Sequence, residues 1–389
     1  MISTPPPPPP VAFFDMKAQQ ALIRPGIEAA IARVLDHGRF IQGPEVDALE
    51  EQLAAFAGVS HCVGVSSGTD ALQIAMMAEG IGRGDAVFLP AFTYTATAEV
   101  PLVLGATPVF VDVEEGTFNL DLADLERRVE RVAREGTLRP RAVIGVDLYG
   151  LPADWPALRA LCDRHGMFAL DDAAQAFGAR LHGKRLGGWA DATACSFYPT
   201  KTLGCYGDGG ALLTDDADRA VLYRSLRTHG EGASRYEVLR TGMNGRLDSI
   251  QAAILLEKLP LLEGELEART RAARWYGERL GPPVATSKEF PGFESAWGIY
   301  SVLLPDAAAR ERAQAALRAA GLPFAVYYPK PLHRQPAYRA AHTVGFAGGA
   351  APPLPVSEDL CSRVLCLPMH AYLSEVQVER VADAVMSLL

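Results

Sequence analysis

The chain has 389 residues, of which 49% are hydrophobic and 21% are charged, a composition that is ordinary for a globular enzyme of roughly two or three domains. Its formal net charge of −9 excludes the basic field that a nucleic acid or an anionic membrane would need. No apolar run reaches the length of about 20 residues that spans a membrane, and the N-terminus lacks a signal-peptide pattern. We therefore expect a cytoplasmic protein with no nucleic-acid or membrane partner.

The N-terminal segment and the cysteines are not predicted to take part in a functional site. Six consecutive prolines at 5–10 cannot join a helix or a sheet, so residues 1–13 are predicted to be a disordered, proline-rich tail. The six cysteines have no CxxC spacing, which argues against a metal or redox site and favours buried thiols; they are Cys62, Cys162, Cys195, Cys205, Cys361 and Cys366.

The first structural elements are two predicted helices and a small-residue turn. Apolar positions at helical spacing predict helices over 20–35 and 45–56. The stretch 63–73 then predicts a strand, a turn through Gly68 and Thr69, and another helix. Unpaired N–H groups at such a helix start bind anions, although an ordinary capped helix start explains the same pattern.

The next segment alternates strands and helices. The predicted order is strand 86–89, helix 95–104, strand 108–113, helix 122–133 and strand 142–146. This alternation indicates an α/β fold with a mostly parallel sheet covered by helices. Tyr94 follows the first of these strands, where its ring could cover a pyridine ring or could simply be a core side chain.

The chemistry is concentrated in 167–210. A buried strand over 167–170 ends in Asp171 and Asp172, and Lys201 follows in a segment rich in glycine. A carboxylate keeps a heteroaromatic nitrogen protonated, and a lysine with a lowered pKa forms a Schiff base, so this pair suits pyridoxal phosphate. The alternative is that Asp172 caps a helix and Lys201 lies on the surface.

The rest of the chain predicts a second, smaller domain. A strand over 211–214 and a helix over 219–227 complete the first part, and a polar helix over 262–280 leads to the second. The remaining predicted elements are strands 299–304 and 323–328 and helices 307–320, 357–365 and 374–388. We predict a large cofactor-binding domain over 14–265 and a small α+β domain over 266–389.

Three motifs give the chain a recognisable resemblance. DDAAQAFGA, SFYPTKTLGCYGDGGALLTDD and HGEGASRYEVLRTGMNGRLDSIQAAIL resemble the DegT/StrS-type sugar-nucleotide aminotransferases, which are fold type I pyridoxal phosphate enzymes. The resemblance extends from about Phe14 to the last predicted helix. It implies that Asp172 pairs with the pyridine nitrogen, that Gln175 lies against the cofactor and that Lys201 binds it covalently.

The same resemblance assigns further contacts to the cofactor. It implies that Gly68 and Thr69 hold the phosphate, that Tyr94 stacks on the ring and that Ser196, which opens the lysine motif, also contacts the cofactor. Asn244 matches an asparagine that reaches the neighbouring subunit's phosphate. A homodimer with shared active sites is therefore expected.

Substrate contacts are implied by two other motifs. His229 falls on a histidine-glycine pair near the substrate. The run YYPKPLH, which contains Tyr327 and Tyr328, resembles the family's H-Y-P-x-P-L-H, with Tyr327 in place of the histidine. Tyr327 thus stands where the histidine would contact the amino donor or the sugar, and Tyr327 and Tyr328 are expected to bind the substrate.

The resemblance implies amino transfer from L-glutamate to a keto-sugar nucleotide, with pyridoxamine phosphate as the form that stores the nitrogen, in the synthesis of amino sugars for surface polysaccharides or glycoconjugates. The motifs are most similar to enzymes acting at C3, especially on UDP-2-acetamido-2-deoxy-3-oxo-glucuronate. Arg246 would then pair with the uronate carboxylate.

The sequence leaves one close alternative and argues against three other functions. The acceptor could be a neutral 3-keto or 4-keto deoxysugar nucleotide. A nicotinamide-dependent oxidoreductase would show a GxGxxG motif, which is missing. A regulator that only senses pyridoxal phosphate would need a DNA-binding module with a basic face. Sugar dehydratases of the family carry histidine in place of Lys201.

Overall fold

A computed structural model describes residues 10–234, 236–286, 290–341 and 351–388. Residues 1–9 of the predicted tail lie outside the described residues. The helices are α1 Met16–His37, α2 Pro44–Ala57, α3 Gly68–Ala78, α4 Ala96–Val103, α5 Leu122–Glu135, α6 Trp155–His165, α7 Ala217–Leu226, α8 Ser249–Lys258, α9 Leu262–Arg279, α10 Ala307–Ala319, α11 Pro355–Arg363 and α12 Glu375–Met386. The strands are β1 His61–Val65, β2 Asp85–Pro90, β3 Thr107–Val111, β4 Arg139–Val146, β5 Phe168–Asp172, β6 Arg180–Leu181, β7 Lys184–Arg185, β8 Ala192–Ser196, β9 Gly210–Thr214, β10 Ala285–Thr286, β11 Phe293–Glu294, β12 Tyr300–Leu303 and β13 Val364–Leu367.

A seven-stranded sheet organises the first two thirds of the chain, in the order β1-β9-β8-β5-β4-β2-β3. Strands β8, β5, β4, β2 and β3 run parallel, while β9 is antiparallel to both of its neighbours. Because crossover helices cover both faces, the central strands are buried almost throughout. The predicted α/β class with a mostly parallel sheet is confirmed.

The two faces of this sheet belong to different core clusters. Alternate residues of β5 show this arrangement, since Ala169 belongs to the cluster under α2 and α6, whereas Leu170 belongs to the cluster under α3 and α4. Side chains that follow each other at a strand end therefore point to opposite faces. This alternation separates Asp171 from Asp172. All six cysteines are free and buried, as predicted.

A smaller sheet, β10-β12-β13, packs with α9, α10 and α12 in the last third of the chain. The predicted boundary between 265 and 266 falls within α9, so the first turn of that helix belongs to the large proposed domain. The division of the chain into two domains stays a proposal.

Two predicted elements of this region are wrong in part. The predicted strand over 323–328 is a single bridge between Ala325 and Cys366. Prolines at 323 and 329 lack the N–H groups that a ladder needs, which limits pairing on this segment. The predicted helix over 357–365 ends at Arg363, and the next residues begin β13.

Candidate active site

A cavity of about 460 Å³ lies at the edge where the parallel strands of the large sheet end. This position is typical of ligand sites in α/β folds. The cavity brings together nine of the predicted site residues: Gly68, Thr69, Tyr94, Asp172, Gln175, Ser196, Lys201, Tyr327 and Tyr328. They come from five segments that are far apart in the sequence.

Asp172 is the last residue of β5 and is buried. Its carboxylate accepts hydrogen bonds from the hydroxyl of Thr97 at 3.2 Å and from the backbone N–H of Ala174 at 3.2 Å. Burial raises the pKa of this carboxyl group above its usual value, while the two hydrogen bonds and the charge of Lys201 oppose the shift. A cation facing Asp172 would therefore be stabilised by the carboxylate.

Lys201 lies in a turn after β8, where its backbone N–H donates to Tyr198 O at 2.9 Å. Burial lowers the pKa of its amine, and the charge of Asp172 opposes this effect. A lowered pKa increases the fraction of neutral amine, the form that acts as a nucleophile and accepts a proton. Lys201 is half-buried and lines the cavity, which does not fit the alternative of a surface lysine.

The start of α3 forms one wall of the cavity. Ser67 caps the helix by accepting a hydrogen bond from Asp70 N at 3.0 Å, and the first intrahelical bond runs from Ala71 N to Ser67 O. The N–H groups of Gly68 and Thr69 precede that bond at the positive end of the helix dipole. This arrangement suits a phosphate group.

Gly68 also makes room at this helix start. A methyl group at Gly68 would lie 2.8 Å from the Cβ atom of Ser196, so the turn and the end of β8 approach each other closely only because Gly68 has no side chain. The same holds for Gly210, where a methyl group would lie 2.5 Å from the carbonyl carbon of Ser67. The first residue of β9 therefore packs directly against the backbone of Ser67, which caps α3.

Gln175 is held by hydrogen bonds on both ends of its amide. Its Oε1 accepts from the backbone N–H of Tyr149 at 2.8 Å, and its Nε2 donates to the hydroxyl of Tyr328 at 3.0 Å. The hydroxyl of Tyr149 in turn donates to the carbonyl of Tyr327. This network connects β5 to the segment of the small proposed domain that carries the two tyrosines.

Aromatic side chains surround the opening of the cavity. Tyr94 and Tyr198 line the cavity although they are 57% and 52% exposed, so their rings are available to a ligand. The rings of Tyr94 and Tyr328 are 6.4 Å apart. An aromatic ligand could stack in such surroundings.

Three predicted site residues do not line this cavity. His229 and Asn244 are both exposed and lie on neighbouring segments of backbone. Thr228 forms an isolated antiparallel β-bridge with Asn244, and the backbone N–H of His229 donates to Met243 O at 2.9 Å. Arg246 is half-buried and bridges to Val65, close to the turn that leads into α3. Among the described residues, its Nε has no hydrogen-bond partner.

Sequence reasoning missed the residues that orient the predicted ones. Thr97 donates to Asp172, Tyr149 donates to Gln175, and Tyr198 lines the cavity. The sequence did not predict any of the three as a site residue. A polar residue soon after a strand's carboxyl end was an available signal for Tyr149, because β4 ends at Val146.

The chain is similar to known proteins over most of its length. Residues 22–386 match the profile described as the DegT/DnrJ/EryC1/StrS aminotransferase family. The chain is 42% identical to UDP-2-acetamido-2-deoxy-3-oxo-D-glucuronate aminotransferase from Pseudomonas aeruginosa, over 96% of this chain and 99% of that enzyme. It is 40% identical to UDP-N-acetyl-3-dehydro-alpha-D-glucosamine 3-aminotransferase from Acidithiobacillus ferrooxidans, over 96% and 97% of the two chains.

A solved structure is also similar. The crystal structure of a DegT DnrJ EryC1 StrS aminotransferase from Brucella abortus superposes with a TM-score of 0.92 at 44% identity, covering 97% of this chain and 99% of that one. Within the described residues, the helices are too short or too polar to pass through a lipid bilayer. The cytoplasmic location stays a prediction.

Proposed function

The chain belongs to the DegT/DnrJ/EryC1/StrS aminotransferase family, and we propose that it transfers the amino group of glutamate to C3 of UDP-2-acetamido-2-deoxy-3-oxo-glucuronate. It is a pyridoxal phosphate-dependent sugar-nucleotide aminotransferase that serves amino-sugar synthesis. The observation that carries the proposal is the presence of Lys201, Asp172 and the start of α3 in one cavity. The relative from Pseudomonas aeruginosa supports the choice of acceptor.

The residues of the cavity fit the cofactor. The N–H groups at the start of α3 would hold the phosphate, where the absence of a side chain at Gly68 leaves the necessary space. Asp172 would face the ring nitrogen, and a cation there would offset the burial that raises the pKa of this carboxyl group. Tyr94 would cover one face of the ring.

When bound, pyridoxal phosphate supplies an electron sink that stabilises negative charge on the carbon bearing the nitrogen. Lys201 would move the proton at its Nζ, because burial favours the neutral amine that can accept it. Thr97 and the backbone N–H of Ala174 keep the carboxylate of Asp172 in one orientation. Gln175, fixed at both ends, would position the ring within the cavity.

A homodimer is proposed to complete the site. Asn244 and His229 are exposed and do not line this chain's own cavity, so their side chains are available to a second copy. In the dimer, Asn244 would reach the partner's cofactor phosphate. Arg246, which is half-buried beside the turn into α3, would pair with the uronate carboxylate of the acceptor.

The small proposed domain would cover the cavity. Ile299, Tyr327 and Tyr328 come from residues 266–389 and line the cavity opposite the strand ends. Tyr328 also bonds to Gln175 of the large proposed domain. Substrate binding would therefore require residues from both parts of the chain.

A neutral acceptor is the second candidate. The relative from Acidithiobacillus ferrooxidans acts, by its name, on a 3-dehydro-glucosamine nucleotide, and its identity to this chain differs by only two percentage points from that of the first relative, 40% against 42%. The two acceptors differ in the carboxylate at C6. The test of Arg246 described in the Discussion distinguishes them.

The experiment that tests the proposal measures both half-reactions. Purified enzyme should convert glutamate to 2-oxoglutarate in proportion to the amino sugar formed from the 3-keto uronate nucleotide, as detected by mass spectrometry. Lys201→Ala should lose this turnover and the covalent link to the cofactor, while Lys184→Ala, which removes an exposed lysine, should keep both. Turnover by Lys201→Ala at the rate of the unaltered enzyme would refute the assignment.

A further inference from the structure

A pair of buried carboxyl groups lies on the face of the sheet opposite the cavity. Asp171 precedes Asp172 on β5, and Asp147 follows the end of β4, where Gly145 pairs with Asp171 in register. Because side chains alternate along a strand, Asp171 and Asp147 share the face covered by α6, whereas Asp172 faces the cavity. Both carboxyl groups are fully buried, with 0% exposure.

Each carboxyl group uses one oxygen for hydrogen bonds to its surroundings. Oδ1 of Asp147 accepts from Ala153 N at 2.6 Å and from the indole N–H of Trp155 at 3.0 Å. Oδ2 of Asp171 accepts from the hydroxyl of Thr193 at 3.1 Å. The other two oxygens, Oδ2 of Asp147 and Oδ1 of Asp171, are buried and meet no hydrogen-bond donor in the described part of the chain. Strand register brings the two carboxyl groups together on this face.

Two buried carboxylates cannot face each other as anions. Like charges at short range in a dry site force one group to keep its proton, as in a carboxyl dyad. Asp147 accepts two N–H groups, which stabilise its charge, whereas Asp171 accepts one hydroxyl group. The proton therefore belongs on Asp171, which donates it to Asp147.

The surroundings favour the same state. The titratable groups nearest the pair are the thiol of Cys195 from β8, on the same face, and Asp172, the next residue on β5, whose side chain points to the other face. Helix α6 contributes the neutral indole of Trp155. Burial raises the pKa of Asp171, and the charge of Asp147 and the hydrogen bond to it raise it further. Burial also raises the pKa of Asp147, to about 7, but the hydrogen bonds from Asp171, Ala153 and Trp155 oppose this rise, so Asp147 gives up its proton more readily than Asp171.

The pair connects two segments that carry the active site. The first segment begins at the end of β5, where Asp172 directly follows Asp171 in the chain and Gln175 comes three residues after Asp172. In the second segment, Asp147 holds the loop that leads to α6, and this loop contains Tyr149, whose N–H donates to Gln175. The backbone N–H of Asp147 also donates to Asp172 O at 3.2 Å.

We propose that Asp147 and Asp171 share one proton, held on Asp171, and that this pair positions Asp172 and Gln175 from behind the sheet. Neither residue touches the cavity, so both act through their neighbours. The positioning role rests on the proposed function of Asp172, whereas the shared proton does not. The two claims are therefore tested by separate measurements.

The shared proton is tested by stability as a function of pH. Asp171 has a higher pKa in the folded than in the unfolded chain, so its contribution to stability is present at low pH and is lost as the pH rises. Asp171→Asn keeps a donor toward Asp147 and an acceptor for Thr193 but binds no proton. The measured quantity is the folded-to-unfolded ratio of each holoenzyme between about pH 5.5 and about pH 8.5. The ratio of the unaltered protein, divided by that of Asp171→Asn, should fall by up to about tenfold per pH unit.

Parallel stability curves for the two proteins would overturn the shared proton. An infrared band of a protonated carboxyl group at neutral pH, present in the unaltered holoenzyme and lost in Asp171→Asn, is the second expected result. Absence of such a difference band would contradict the proposal, whatever the activity of the variant. Both measurements are independent of the assignment of Asp172.

The positioning role is tested by rescue. Asp171→Ala should lower kcat by about tenfold or more with little change in KM, and should alter the pH profile of the cofactor's visible absorption, because Asp172 is no longer fixed. Asp171→Asn should restore kcat to within a few-fold of the unaltered enzyme. If Asp171→Ala keeps full kcat, or if Asp171→Asn loses as much as Asp171→Ala, the positioning role is wrong. Should Asp171→Ala fail to fold, the result for Asp171→Asn decides.

Discussion

The hydroxyl of Thr97 donates a hydrogen bond to Oδ2 of Asp172 at 3.2 Å, although the two residues are 75 positions apart in the chain. Thr97 lies in the first turn of α4, on the helix that follows β2, and is fully buried. The contact fixes a carboxylate that has few other donors, so Thr97 should influence catalysis without touching the substrate.

Replacement of Thr97 by valine tests this contact. A hydrogen bond to a charged group is worth about 1.5 to 3 kcal/mol, so Thr97→Val should lower kcat/KM by about tenfold to a hundredfold. Thr97→Ser keeps the hydroxyl and should retain most of the activity. Steady-state kinetics of the two variants give the comparison, and equal activity of Thr97→Val and Thr97→Ser would mean that the bond does not orient Asp172.

Asp172→Asn should separate stability from activity. Burial raises the pKa of Asp172 in the folded chain, so its stabilising contribution is lost as the pH rises above the usual value near 4. The cofactor-free asparagine variant should therefore be at least as stable as the unaltered protein at neutral pH. Its kcat should fall by about two orders of magnitude or more, because the ring nitrogen loses its anionic partner.

Urea unfolding of the cofactor-free proteins and steady-state kinetics provide the two measurements. A loss of stability that parallels the loss of activity would favour a structural role for Asp172 as a helix cap or a packing residue.

Gly68→Ala should weaken cofactor binding. The added methyl group would lie 2.8 Å from the Cβ atom of Ser196, so the start of α3 must shift, at a cost of about 1 to 3 kcal/mol. The dissociation constant of the cofactor should rise about tenfold or more, which a fluorescence titration would measure. Gly277→Ala is the control, since nothing lies within 4 Å of its added methyl group and alanine favours the helix. A cofactor affinity unchanged in Gly68→Ala would argue against phosphate binding at this turn.

Arg246→Ala should distinguish the two candidate acceptors. If Arg246 pairs with the uronate carboxylate, its removal should cost about 2 to 5 kcal/mol in kcat/KM with the 3-keto uronate, since a desolvated charge loses its partner. The neutral 3-keto nucleotide should be affected little. Equal losses on both acceptors would assign Arg246 to its loop or to the nucleotide and would favour the neutral acceptor.

The sequence predicted the residues whose position follows from local order. Asp172 lies at the end of a buried apolar run and Lys201 in a glycine-rich turn, and both patterns are visible within a few residues. Thr97 and Asp147 could not be found in this way. Their partners, Asp172 and Asp171, are brought to them by helix packing and strand register, which a single sequence does not specify.

Helices α6 and α8 were not predicted from the sequence, and the two omissions have different causes. In α8, buried residues follow one another from Ala252 to Leu255, so the helical period is hidden by a continuous apolar run. In α6, by contrast, the signals were present, since Asp154 caps the helix, a proline follows and Gly166 ends it in a left-handed conformation. The segment 323–328 contains residues that are typical of strands, which is why a strand was predicted. In the structure its two tyrosines line the cavity and do not pair with a neighbouring strand.

Phe14 lines the cavity, and Phe13 packs against the ring of Tyr327. The chain that precedes α1 thus passes the entrance through which a bulky sugar nucleotide would have to travel. A purification handle or a fluorescent reporter attached directly before Phe13 would be held beside this entrance and should slow exchange of substrate. A handle placed after α12 would be attached to a helix that does not line the cavity.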